Sequence, residues 1–486
     1  MNTPIRRISV GVVLMFLSLF VASTILQVIQ YDALRTNDYN TRTLLQSYEV
    51  ERGPILVEGA PIAHSTPVDT QYRYQRVYDS AEMYAAVTGY HTHLQGSTGI
   101  EDAMNPELSG QSDAQFFEGL SGLFTGSKPA GAAVELTISA AAQQAAWDAL
   151  GDMKGAVVAI DPSTGAILAM VSKPAFDPNR LVVHDDEEML AVYNELLADP
   201  EHPLYNRAIG GDLNPPGSVF KLIVAAAALE NGIATADSQL PNPTTYTLPG
   251  STSVVNNPSH GAACGSGQTT TLRTAIEQSC NIPFAQLAVQ LGADKLRAQA
   301  EKFGFGHRFE VPMPVEPSTY PADALDDAQT ALTGFGQFDV RATPMQMAIV
   351  SAALANEGTV MNPSLVNQVL SPSLSQLEGP RVSEFGRAVS PETASAIRDM
   401  MVASVSSGVA SNARIDGVDV AGKTGTAENG PDEPYSLWFT GFASQGETEV
   451  AVAVVLEDGG GQGQSGTGNG LAATIGHDVM KAVLDQ

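Results

Sequence analysis

The order of apolar and polar positions divides the chain into three stretches. Ile8 to Val28 is an uncharged, mostly apolar run of 21 residues. At 1.5 Å of rise per residue such a helix reaches roughly 30 Å, the thickness of a bilayer's hydrocarbon core. Beyond it, Val50 to Pro61 and Val68 to Val77 alternate in short apolar-polar steps broken by Gly and Pro, the pattern of half-buried strands. Ser80 to Thr88 predicts a helix, and the Gly- and Ser-rich passage from Ser121 to Gly131 predicts a loop. Ala133 to Ile138 alternates as a strand does, and the Ala- and Gln-rich segment Ala140 to Leu150 predicts a helix.

The third stretch opens on Gly155 to Ser172, where two apolar runs flank the turn sequence Asp161-Pro-Ser-Thr-Gly165, the signature of a buried β-hairpin. Helical patterns dominate from about residue 218 to 355, and strand-like runs return at Asp419 to Thr426, Tyr435 to Ala443 and Glu449 to Leu456. Leu471 to Leu484 predicts a last helix. The Gly-rich segment Asp458 to Gly470 predicts a mobile loop; no Lys-Ser/Thr pair follows it at P-loop spacing, so it is not a phosphate-binding loop. A strand pair, helices, strands and a closing helix describe an α+β fold, an antiparallel sheet covered by helices.

Composition narrows the picture. At 486 residues the chain suggests two or three domains. Its 53 acidic residues against 25 basic ones give a formal charge of −28, which argues against nucleic acid or an anionic membrane surface as the main partner. Arg6 and Arg7 precede the apolar run, and the positive-inside rule leaves the N-terminus in the cytoplasm. The small residues at Val21-Ala22-Ser23 offer the rival of a cleaved signal peptide, but the apolar run continues past them. The expected layout is a cytoplasmic stub at 1–7, a single-pass membrane anchor at 8–28, a membrane-proximal domain at 29–150 and an extracytoplasmic catalytic domain at 151–486.

Three short motifs carry chemistry. Pro216-Gly217-Ser218-Val219-Phe220-Lys221 leads into the Ala/Leu-rich run LIVAAAALE. This places Ser218 near a helix N-terminus, where free N–H groups favour developing negative charge. Residues i and i+3 share a helix face, so the Lys221 amine can reach the Ser218 hydroxyl. A serine is a weak nucleophile unless a base takes its proton, and a lysine is such a base only with its pKa lowered toward neutrality. Ser279-Cys280-Asn281 supplies a hydroxyl that can relay a proton and an amide that can bond a lysine and a substrate peptide group. Lys423-Thr424-Gly425-Thr426 ends a strand-like run, and Gly425 lets another backbone come close. Each motif alone is common; the set in this order is that of β-lactamases and penicillin-binding proteins.

The likeness extends beyond the motifs. Gly155 to Asn179 resembles the opening hairpin of a penicillin-binding transpeptidase domain, and Asn206-Arg207-Ala208, Gly334-Phe-Gly-Gln337, Thr343-Pro344 and Ala353-Leu-Ala-Asn356 are similar to other segments of such a domain. Arg52-Gly-Pro-Ile55 and Ser97-Thr-Gly-Ile-Glu101 resemble the membrane-proximal module of class B penicillin-binding proteins, of the actinobacterial penicillin-binding protein A type. The resemblance implies a β-lactamase/transpeptidase-like domain with an all-helical subregion, preceded by a mixed α/β pedestal or dimerisation-like domain and one transmembrane helix. It implies that Ser218 attacks the D-Ala-D-Ala bond of a peptidoglycan stem peptide, with Lys221 as base and Ser279 protonating the leaving D-alanine. Asn281 would hold the peptide amide, and Lys423, Thr424, Gly425 and Thr426 would bind the terminal carboxylate. The N–H groups of Ser218 and Thr426 would form the oxyanion hole. A second stem's amine would then take the acyl group in cell-wall synthesis, at the septum, and β-lactams would acylate Ser218 instead. No cofactor, metal or nucleic acid is implied; division or elongation proteins are the implied partners. A β-lactamase, a D,D-carboxypeptidase and a non-catalytic docking protein are the alternative readings.

The remaining signals are weaker. Cys264 and Cys280 stand 16 apart, and outside the cytoplasm a disulfide between them would brace the Ser-Cys-Asn turn, against the alternative of two free thiols. His91 and His93 lack a third ligand at metal spacing. Asp185 to Glu188 suits the start of a helix with a solvated face, and Trp438 and Phe439 suit core packing.

Overall fold

A computed structural model describes residues 3–30, 34, 50–70, 72–115, 130–258 and 262–486. Apart from Ala130 and Gly131, the loop expected at Ser121 to Gly131 lies outside the described residues. The apolar N-terminal run is a helix, α1 (Thr3–Thr24), prolonged by a wider π turn at Ile25–Ile29. Its side chains from Ile5 to Ile29 are all exposed, and a helix apolar on every side suits lipid better than water. The helix takes in Arg6 and Arg7, which the sequence reading had placed in a separate stub.

The next block carries β1 (Ile55–Val57), β2 (Ala60–Pro67), β3 (Tyr74–Tyr78), α2 (Ala81–Thr88), β4 (Ala133–Leu136) and α3 (Ala140–Leu150). The stretch Val50 to Pro61 is therefore the end of one strand and the start of another. A turn with Gly59 at φ +77° joins them, a conformation open to glycine at no steric cost.

The remainder of the chain contains β5 (Gly155–Ile160), β6 (Ile167–Lys173), α4 (Lys221–Glu230), α5 (Ile282–Leu291), α6 (Pro344–Ala355), β7 (Val366–Leu370), β8 (Gln376–Glu378), α7 (Pro391–Ser406), β9 (Val420–Ala427), β10 (Ser436–Gln445), β11 (Thr448–Leu456) and α8 (Ala473–Leu484). Five of these strands form an antiparallel sheet in the order β9-β10-β11-β5-β6. Alternate residues of β5 face two different cores. Ala156, Val158 and Ile160 join the core of α4 and α6, while Val157 and Ala159 join that of α3 and α8. With both faces covered, period 2 is invisible in the sequence and the strands appear as continuous apolar runs. Helices α4 and α6 are buried along nearly their whole length and form the helical layer against one face.

Two features depart from the sequence reading. The described residues from 231 to 271 are not helical: Gln239–Pro241 pairs with Thr269–Thr271, and Thr245–Thr247 pairs with Val254–Asn256. Strands β7 and β8, unrecognised in the sequence, cross back and extend the first block's sheet, whose order is β8-β7-β4-β1-β2-β3. Hydrogen bonding between β7 and β4 therefore crosses the domain boundary expected at residue 150.

Candidate active site

Ser218 lies in a 3₁₀ turn, Gly217–Phe220, that runs into α4. Gly217 has φ +54° and gives the turn its direction into the helix. The turn is pressed against β9 from one side: a Cβ on Gly425 would come within 2.9 Å of the Pro216 carbonyl oxygen. From another side, a Cβ on Gly336 would meet the Gly217 carbonyl oxygen at 2.1 Å. Buried Trp438 on β10 donates its indole N–H to the Pro215 carbonyl at 2.9 Å, so the expected core tryptophan also tethers the nucleophile turn.

Lys221, fully buried, sits one helical turn beyond the serine. Its Nζ donates to Ser218 Oγ at 2.9 Å, the Ser279 carbonyl at 2.7 Å and Asn281 Oδ1 at 2.7 Å, with Ser279 Oγ at 3.4 Å. All four partners are neutral oxygens. Burial, and then the nearby Lys423, push the Lys221 ammonium well below the usual lysine range. Lys423 donates to Ser279 Oγ at 2.6 Å and to the Thr424 carbonyl at 2.9 Å, and burial brings it down to about 7. The Ser279 hydroxyl thus stands between two buried amines.

Ser279 has φ +57°, an uncommon conformation for a residue with a Cβ, on the bend between the helix Leu272–Glu277 and α5. Asn281 opens α5 but makes no side-chain cap, because its amide is turned to Lys221 and, through Nδ2, to the Asn256 carbonyl at 2.9 Å. Asn257 caps the helix in its place, accepting from the N–H groups of Asn281 at 3.0 Å and Ile282 at 3.1 Å. Sequence reasoning missed Asn256 and Asn257, and no local signal marks them: the cap is made across 24 residues. A disulfide joins Cys264 to Cys280, with Cα atoms 5.8 Å apart.

These groups line a cleft of about 770 Å³ that includes Ser218, Ser279, Asn281, Thr424, Gly425 and Thr426. Lys423 lies beneath its floor, fully buried, and does not line it. The Gly-rich segment expected to be a mobile loop instead folds into two 3₁₀ turns, Asp458–Gly461 and Gly463–Ser465, and helps to wall the cleft. His91 and His93 lie away from it, bonded to Ser97 at 2.6 Å and Asp186 at 2.7 Å; one residue of the acidic run thus serves a histidine, with Asp185 capping the helix behind it.

A serine hydroxyl at a helix start, a buried amine bonded to it and a second buried amine on a shared hydroxyl are the arrangement found in active-site-serine acyltransferases. The description "Penicillin binding protein transpeptidase domain" matches residues 155–481, and "Penicillin binding protein A dimerisation domain" matches residues 52–134. The peptidoglycan D,D-transpeptidase PbpA of Mycolicibacterium smegmatis is 41% identical over 493 residues, covering 100% of this chain and 99% of the relative. The crystal structure of PBPA from Mycobacterium tuberculosis superposes with a TM-score of 0.85 at 41% identity, covering 90% of this chain and 100% of that one. The penicillin G acyl-enzyme complex of penicillin-binding protein A from M. tuberculosis does so at 0.84, with the same identity and coverage. The chain belongs to the penicillin-binding protein transpeptidase family, and is an enzyme of the serine-type D,D-transpeptidase class.

Proposed function

We propose that the chain is a peptidoglycan D,D-transpeptidase working through an acyl-enzyme on Ser218. The observation that carries this is the 2.9 Å contact between Ser218 Oγ and the buried Lys221 amine, whose partners are all neutral. An amine so placed can shed its charge and take the serine proton as Oγ attacks the carbonyl between the last two D-alanines. Ser279, bonded to Lys423, returns a proton to the departing D-alanine. Thr424 and Thr426 receive the donor's terminal carboxylate, and its negative charge favours the protonated form of Lys423 below them. The N–H groups of Ser218 and Thr426 hold the oxyanion, a contribution of about 3–4 kcal/mol per donor in related chemistry. Strand β9 is the outer strand of its sheet, so its free edge can pair with an extended stem peptide. An amine of a second stem then takes the acyl group.

The names of the mycobacterial relatives and the penicillin G acyl-enzyme support the reading. With it go the proposals that residues 8–28 anchor the protein with its N-terminus in the cytoplasm, that 29–150 form a pedestal, and that 151–486 work outside at the division septum. The test is intact mass of the full-length chain after exposure to penicillin G. One stable drug adduct is expected, and none in Ser218→Ala. Hydrolysed drug without an adduct would make the protein a β-lactamase, and intact drug without an adduct would leave the serine unreactive.

A further inference from the structure

The cleft offers one charge at its surface. Of the described residues lining the two cavities that contain Ser218, Glu428 alone carries a formal charge; the two lysines lie buried below. Glu428 also lines a third cavity of about 580 Å³ with Pro215, Gln337, Phe338, Arg341 and Tyr435, so the residue stands where the three meet. The backbone that carries it is held from both sides. With its amide nitrogen toward the Glu428 carbonyl, Gln337 donates to that oxygen at 3.2 Å and accepts from the Glu428 N–H at 3.1 Å. The next residue, Asn429, donates to the Pro434 carbonyl at 2.8 Å and to Ser436 Oγ at 3.1 Å.

An exposed carboxylate on a held backbone is the wrong partner for the donor's terminal carboxylate. It also lies four residues beyond Thr424, roughly 13 Å along an extended chain. It is the right partner for an ammonium. Resting on the function proposed above, the geometry points to Glu428 as the residue that recognises the cationic amine of the acceptor stem, with the third cavity taking the rest of that stem. The amine arrives as R–NH3+ against Glu428 and gives one proton to solvent across the open mouth. Its nitrogen then bonds to the acyl carbon as the Ser218 Oγ–C bond breaks, and the second proton passes through Lys221 to Oγ. Amide and free serine result. Water has no charge to be read, so Glu428 favours aminolysis over hydrolysis.

The test uses the full-length protein in detergent and a donor pentapeptide ending in D-Ala-D-Ala. Two acceptors are compared: a peptide with a free lysine side chain, and hydroxylamine, which is uncharged at neutral pH. In Glu428→Gln, kcat/KM for the lysine peptide is expected to fall roughly tenfold relative to that for hydroxylamine, the scale of one ion pair near a protein surface. Glu428→Asp should recover most of the loss. An equal loss for both acceptors, or none for either, would overturn the assignment. If the wild-type protein forms neither a penicillin adduct nor any product from the donor, the transpeptidase reading itself fails, a different result from unchanged acceptor preference.

Discussion

Lys221 and Lys423 present a problem that only their surroundings solve. Two ammonium groups sharing the Ser279 hydroxyl, at 3.4 and 2.6 Å, repel each other in a site with little water. Burial therefore favours the amine form of both, and the Lys423 charge favours that of Lys221 further, which is what a general base for Ser218 requires. The sign of one mutation follows. Replacing Lys423 by Met removes a charge that lowers Lys221, so the Lys221 pKa rises and its uncharged fraction at a given pH falls. The acidic limb of penicillin acylation, followed as second-order rate over about pH 5 to 9, should move to higher pH in Lys423→Met. A limb that stays in place would mean that the titrating group is not Lys221.

At the scale of elements, the bend carrying Ser279 and Asn281 is held by contacts from a distant part of the chain. Cys280, between the two functional residues, is bonded to Cys264, and the same loop presents Asn257 to the start of α5. Cys264 is itself bonded by Asn242 through both its N–H and its carbonyl. Closing a loop with 16 residues of separation restricts the unfolded chain by an amount worth about 3 kcal/mol. The double variant Cys264→Ser, Cys280→Ser should unfold several degrees lower by calorimetry and be acylated by penicillin more slowly, since the bend loses its brace. A lower melting point with an unchanged acylation rate would show that Asn257 and the lysines position the bend without the disulfide.

For the molecule as a whole, the region matched by the dimerisation domain and the transpeptidase domain share a sheet, because β7 and β8 cross from one to the other. That block has its own polar centre. Glu101, fully buried, accepts from Arg52 at 2.5 Å, Arg76 at 2.6 Å and the Tyr78 hydroxyl at 3.1 Å. Burial alone would raise its pKa, but Arg76 and Arg52 outweigh burial and bring the carboxyl down to about 2. A depressed carboxyl contributes stability that is present above its unfolded pKa, about 4.3, and is lost as pH falls through the folded value. Acid titration of folding should therefore show a loss between about pH 4 and 2 that Glu101→Gln lacks. The same variant leaves two buried guanidinium groups without their carboxylate and should cost about 3–5 kcal/mol by denaturant unfolding. A variant as stable as the wild type would show that the arginines find other partners.

The local physics of the sequence determined the apolar N-terminal helix, the hairpin Gly155 to Ser172, the three closing strands, the last helix and the approach of Lys221 to Ser218, because period, turn residues and i to i+3 spacing are read within a few residues. What the tertiary structure decided lies in pairings far apart in the chain. β7 finds its partner β4 more than 200 residues earlier and carries β8 with it, and their few apolar positions give no period of their own. Asn257 caps a helix it does not belong to, Lys423 sinks below the cleft it was expected to line, and the glycines of 458–470 are ordered against the site. Long-range contacts of this kind depend on which surfaces meet after collapse. The residues that make them carry no mark of it in their immediate neighbours.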